Sequence, residues 1–141
     1  MTPLMRQIDD RRRAQRITLA VVAAQLGTNE STLSSWSSGR NSPLFHRAVA
    51  YAGITNTRIV VPYQGRIFAE GMDIVEALPR LRRLVGVTYR DMAARVTFHP
   101  KTLKKLRTRP GPRYLSTVET YAAGLGLSLA LLPAAELAVA S

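Results

Sequence analysis

The sequence predicts a mainly α protein built from two tandem copies of one unit, each of four short helices followed by a short β-strand. Two observations carry this expectation. The chain is similar to itself when slid so that Arg12 falls on Arg82, and both copies are punctuated at the same places by residues that cap or break helices. The shift aligns Arg12-Arg13 with Arg82-Arg83, Thr18 with Thr88, Ala23-Ala24 with Ala93-Ala94, Thr32-Leu33 with Thr102-Leu103 and Tyr51-Ala52 with Tyr121-Ala122. Apolar positions follow: Ile8 with Leu78, Ile17 with Val87, Leu26 with Val96. One further residue of slip aligns Pro62 with Pro133. The chain is therefore read as a first unit over 1–63, a linker over 64–71, a second unit over 72–133 and a C-terminal tail over 134–141.

In the first unit, Leu4, Ile8 and Ile17 supply the apolar positions of an opening helix and its exit. Thr18 is the expected N-cap of a second helix over 19–25, because its hydroxyl can satisfy a free amide of the next turn. Val22 and Leu26 share one face of that helix. Gly27 breaks it. Asn29 caps a third helix reaching 38, anchored by Leu33 and Trp36. Gly39 ends it, Asn41-Ser42-Pro43 turns the chain, and 44–52 form a fourth helix.

The second unit repeats the order. Asp73 with Glu76 forms a D-x-x-E capping pattern for its opening helix, which Pro79 should kink or delimit. Thr88 caps the second helix. His99 and Pro100 occupy the N-cap and first position of the third, where the missing N–H of proline costs nothing. Leu103 and Leu106 anchor that helix, 109–112 make a stiff turn, and 116–124 are the fourth helix. A β-rich run follows each fourth helix, at 57–63 and 127–132. Lone strands are unstable. The two runs are expected to pair with each other, with 66–69 as a third strand, locking the units into a pseudo-dimer.

The stretch 18–43, TLAVVAAQLGTNESTLSSWSSGRNSP, resembles the helix-turn-helix of the lambda-repressor-like (Cro/repressor, XRE-type) DNA-binding family. The matching marks are capping Thr18, small Ala23, turn Gly27, capping Asn29, apolar Leu33 and Trp36, and Gly39 with a following proline. Residues 88–112 resemble it less closely. They keep Thr88, Ala93, Leu103 and Leu106 but place Thr97 and Arg109 where the glycines belong. The resemblance implies two helices crossing at a short turn over a small contact residue, with the third helix offered to the major groove.

By position, the resemblance makes Glu30, Ser31, Thr32 and Ser35 base-edge candidates in the first unit, and Asn29, Ser38, Arg40 and Asn41 backbone candidates. In the second, Lys101, Thr102 and Lys105 would face base edges, and His99, Lys104, Thr108 and Arg109 would lie near phosphates. Lysine and arginine read guanine O6 and N7, while serine and threonine read more loosely. Two departures stand out. The family often has Gln at the first residue of the second helix, where this chain has Leu19 and Tyr89; Tyr89 can still donate to a phosphate. The family also often pairs an arginine of helix one with a glutamate late in helix three. Here the matching pairs are Arg12 with Ser37 and Arg82 with Arg107, which leaves both helix-one arginines for other partners.

Composition agrees with a polyanionic partner. The 141 residues carry a net charge of +11, from 17 Arg and 3 Lys against 9 acids. Residues 29–40 hold one acid and one base, whereas 99–113 hold six bases and no acid. The second unit is thus expected to supply most phosphate affinity, and the first to read or position. The absence of cysteine excludes disulfides, thiolate metal sites and a cysteine nucleophile. Two histidines make a histidine-rich metal centre unexpected, and no cofactor is expected. The adjacent Asp9 and Asp10 point to different sides of a helix, and nothing resembles a nucleophile with its base, so an enzyme is not expected. Arg11-Arg12-Arg13 is read as a solvated face and Trp36 as core. Residues 1–16 lack a signal-peptide core, and 125–140 are too short and too interrupted to span a membrane. A cytoplasmic protein of a bacterium or a phage-infected host is expected.

The expected function is a sequence-specific double-stranded DNA-binding transcription regulator, a phage or mobile-element type repressor with two non-identical readers. Two rivals differ in class. One is a protein-binding adapter, an antitoxin or a polymerase-binding activator, using the neutral first unit as its platform. The other is a non-specific nucleoid-type DNA binder.

Overall fold

Two helices begin where Thr18 and Asn29 satisfy a first free amide. The computed structural model describes residues 3–95 and 113–134. It is mainly helical, with one small antiparallel sheet. In chain order the elements are α1 (Leu4–Ala14), α2 (Leu19–Leu26), α3 (Glu30–Ser37), α4 (Phe45–Ile54), β1 (Thr57–Tyr63), β2 (Arg66–Glu70), α5 (Asp73–Val85), α6 (Tyr89–Arg95), α7 (Leu115–Gly124) and β3 (Ala130–Pro133). Thr18 Oγ1 accepts from the Val21 amide at 3.2 Å, and Asn29 Oδ1 from the Thr32 amide at 2.8 Å. Gly27 closes α2 at φ 66°, a left-handed conformation that costs a residue with a Cβ about 1–2 kcal/mol.

The sheet order is β2-β1-β3, both pairings antiparallel. Ile59, Val60 and Val61 of the central strand are buried. The ladder to β2 shifts register between Val61 and Pro62, where proline has no N–H to contribute. The 57–63 and 127–132 runs do pair, although the later strand is confined to Ala130–Pro133. Residues 66–70 of the expected linker form β2, as the third-strand reading anticipated.

Several described elements fall at matching positions of the sequence repeat. Helix α7 runs from Leu115 to Gly124, the repeat positions of Phe45 and Ile54 that bound α4, and α6 begins at Tyr89, the repeat position of Leu19 in α2. Arg16 and Gly86 are both left-handed (φ 58° and 83°), as are Asn56 and Gly126 (57° and 77°). An isolated antiparallel bridge joins Leu44 to Tyr114, and Val60 pairs with Ala130 in the sheet. Each of these residues faces its own counterpart, and an antiparallel contact of that kind requires a local two-fold axis. One hydrophobic core draws on both halves, with Ile8, Phe45 and Tyr51 from one and Ile74, Leu81 and Tyr121 from the other.

Three expectations are corrected. Asp73 and Glu76 do not form a capping pattern. Met72 stands at the cap position of α5 with no side-chain cap bond, and both acids lie inside the first turn. The start is set elsewhere: Gly71 donates to the Ile59 carbonyl at 2.8 Å and accepts from the Ile74 amide at 3.2 Å. The reciprocal box sits at Thr88 and Asp91, whose side chains each accept from the other's backbone N–H at 3.1 and 3.0 Å. Arg12 is not part of a solvated face but is 8% exposed, because Asp9 is buried beside it. Ala93, expected as a helix-contact residue like buried Ala23, is exposed; the residues 96–112 that follow α6 lie outside the described set. Pro79 lies within α5, which continues through it to Val85.

Candidate nucleic-acid interface

Helix α3 has one buried face and one open face. Leu33 and Trp36 point inward, against α1 and α2. Glu30, Ser31, Ser38, Arg40 and Asn41 are exposed, with Thr32 and Ser35 half-buried between them. All the candidate residues of the first half, Asn29 through Asn41, are therefore brought together on α3 and its exit.

The polar groups of this face are already oriented. Ser35 Oγ donates to the Thr32 carbonyl at 2.7 Å, and Ser38 Oγ to the Ser35 carbonyl at 3.2 Å. Ser38 Oγ in turn accepts from the Arg40 N–H at 3.4 Å, while Ser35 Oγ keeps its lone pairs for an outside donor. The face thus offers hydroxyl groups that can accept at Ser35 and either donate or accept at Ser31 and Thr32. Asn29 Oδ1 is spent on the Thr32 amide, and the Asn41 N–H on the Ser35 carbonyl at 3.1 Å. Arg40 is the cation of this group. Glu30, in the first turn of α3, meets the positive end of the helix dipole that would otherwise attract a phosphate.

The arginines of α1 and α5 take other partners, and unequal ones. Arg12 Nη1 donates to the Ile17 carbonyl at 2.8 Å, and Arg82 Nη1 to the Val87 carbonyl at 2.7 Å. In the first half Arg12 also holds Asp9 Oδ1 through Nε at 3.0 Å, and the Tyr51 hydroxyl donates to the same oxygen at 3.3 Å. In the second half, Pro79 stands where Asp9 would recur. The Arg82 guanidinium lies instead over the Tyr89 ring, 4.0 Å from its centroid. Tyr89 is accordingly half-buried under a cation.

The titrating groups follow these surroundings. Burial, then the Asp9 carboxylate, pushes the Tyr51 hydroxyl up to about 12. Burial also raises Tyr121. The Thr88 backbone N–H lowers the Asp91 carboxyl.

His99, Lys101, Thr102, Lys104, Lys105, Thr108 and Arg109 lie outside the described residues. Two arginines near the ends of α2 were not among the sequence candidates. Arg16 is exposed just ahead of the Thr18 cap, in a left-handed conformation. Arg47 Nη1 donates to the Leu26 carbonyl at 3.3 Å, tying α4 to the end of α2. The signal for Arg16 was its place two residues before a cap; Arg47 carried none. Among the described residues, no group of His, Asp and Glu is placed to hold a metal ion, and no helix is long and apolar enough to cross a membrane. No protein-family model, curated protein or solved structure matches the chain.

Proposed function

We propose that the protein is a sequence-specific double-stranded DNA-binding regulator in which α2, the Gly27 turn and α3 act as a helix-turn-helix. The observation that carries this reading is the pair of side-chain caps at Thr18 and Asn29, set around a left-handed Gly27. They hold α3 against α1 and α2 by Leu33 and Trp36 while its Ser- and Thr-bearing face stays open. In this reading α3 enters the major groove with Ser31, Thr32 and Ser35 toward base edges, and Arg16 and Arg40 lie near the backbone. Lys101, Lys104, Lys105 and Arg109 of the second half supply most of the phosphate affinity. The resemblance of the 18–43 stretch favours a repressor of phage or mobile-element type, acting by occupying an operator.

The local two-fold between Leu44 and Tyr114 adds an arrangement. Readers related by a two-fold meet inverted half-sites on a duplex, and non-identical readers meet non-identical halves. Selection from random duplexes tests the proposal, comparing the intact protein with a Lys101→Ala/Lys105→Ala variant. The expected result is an enriched bipartite motif with inverted, unequal halves, one of which is lost in the variant. Salt-sensitive binding with no enriched motif would replace this reading with non-specific binding. No DNA binding at all would favour the protein-binding adapter, which the acidic Glu30 at the head of α3 would suit.

A further inference from the structure

A cleft of about 400 Å³ opens between the start of α1 and the far side of α7, with Leu4, Gln7, Glu119, Thr120, Leu127 and Leu129 among its walls. Its volume is in the range of small-molecule sites. The equivalent residues in the other copy of the repeat differ in chemistry. There Gln7 corresponds to Ala77, Glu119 to Val49, Thr120 to Ala50 and Leu129 to Ile59. Ala77 and Ile59 are fully buried. The chain crosses at Gly71, where an added Cβ would meet Val49 Cγ1 at 3.9 Å. The cleft carries a carboxylate, an amide and a hydroxyl where the counterparts Val49, Ala77 and Ala50 are apolar.

Glu119 is half-buried and makes no hydrogen bond or ion pair with a described residue. Burial raises its carboxyl pKa, the mark of a charge set in apolar surroundings without compensation. A cationic group in the cleft would supply that compensation. The net positive charge of the chain opposes this only weakly, since charges beyond about 8 Å are screened at physiological salt.

We infer that this cleft binds a small organic cation, an amine on an apolar body, with the ammonium against Glu119 and the body against Leu4, Leu127 and Leu129. Its walls come from both halves, so the ligand would bridge α1 and α7. The test uses the full chain and 2-phenylethylamine, with 2-phenylethanol as the neutral isostere, followed by amide NMR. Saturable shifts confined to 3–7 and 119–129 are expected for the amine, with a Kd of about 1 mM for so small a ligand. The alcohol should bind about tenfold more weakly or not at all, as expected when one charge-assisted hydrogen bond is lost. Glu119→Gln should erase the difference while leaving the remaining amide spectrum in place. Equal binding of amine and alcohol, or a preference for the amine that survives in Glu119→Gln, would overturn the inference. So would the absence of saturable shifts, the result expected if residues 135–141 fill the cleft.

Discussion

Leu44 and Tyr114, counterparts in the internal repeat, face each other across an antiparallel bridge whose hydrogen bonds lie to either side. The Phe45 N–H donates to the Arg113 carbonyl at 2.6 Å, and the Leu115 N–H to the Pro43 carbonyl at 2.8 Å. The two bonds exchange places when one copy of the repeat is laid on the other. A non-hydrogen-bonded pair of this kind brings Cα atoms to about 4.5 Å, within the span of a disulfide. In a chain without cysteine, Leu44→Cys/Tyr114→Cys should give one intramolecular cross-link on mild oxidation. Closing so long a loop should add roughly 4 kcal/mol on the chain-entropy account. Mass spectrometry and urea midpoints check both, and failure to cross-link would remove the two-fold axis.

The caps should be separable in their effect. Thr18→Ala and Asn29→Ala should each cost about 1 kcal/mol in urea unfolding, because each leaves an α2 or α3 amide without its side-chain acceptor. Gly27→Ala should cost about 1–2 kcal/mol through backbone strain alone, since no atom lies within 4 Å of the added Cβ.

Asp9→Ala should be the most damaging of the charge deletions. It leaves Arg12 buried without its carboxylate and the Tyr51 hydroxyl without its acceptor. Breaking a buried pair by removing one partner typically costs about 3–5 kcal/mol. A loss below about 1 kcal/mol in chemical denaturation would show that Arg12 reaches water when Asp9 is gone.

Tyr51 sets an alkaline limit. Its folded pKa, about 12, lies above its unfolded value near 10. Between those values the unfolded chain has released a proton that the folded chain keeps, so stability falls as pH rises. The stabilisation is fully present below pH 10 and is lost progressively towards pH 12. Tyr121 shifts in the same direction. Tyr51→Phe should flatten the decline in thermal unfolding scans taken across that window, while wild-type steepness in the variant would place its cause elsewhere.

For DNA, each phosphate contact contributes about −0.9 to the slope of log K against log salt. Neutralising Lys101, Lys104 and Lys105 should reduce the slope by up to about three such contacts, whereas Ser31→Ala should leave it unchanged and alter sequence preference alone. Fluorescence anisotropy at several salt concentrations reads both. An unchanged slope in the lysine variant would take phosphate binding away from the second half.

What the sequence by itself determined was local. Thr18, Gly27 and Asn29 act on backbone within a turn of themselves, so their roles needed no knowledge of the rest of the chain. The β-rich runs and the grouping of Asn29–Asn41 around one exposed helix face were legible for the same reason. Tertiary structure decided whatever depends on residues distant in sequence. The start of α5 is set by Gly71 bonding to Ile59, which overrode the Asp73–Glu76 pattern. Arg12 is buried because Asp9 and Tyr51, far apart along the chain, meet there. The two halves face each other through Leu44 and Tyr114 because β-pairing partners are chosen by the packed core, not by spacing along the chain. The cleft at Glu119 arises in the same way, from the meeting of α1 with α7.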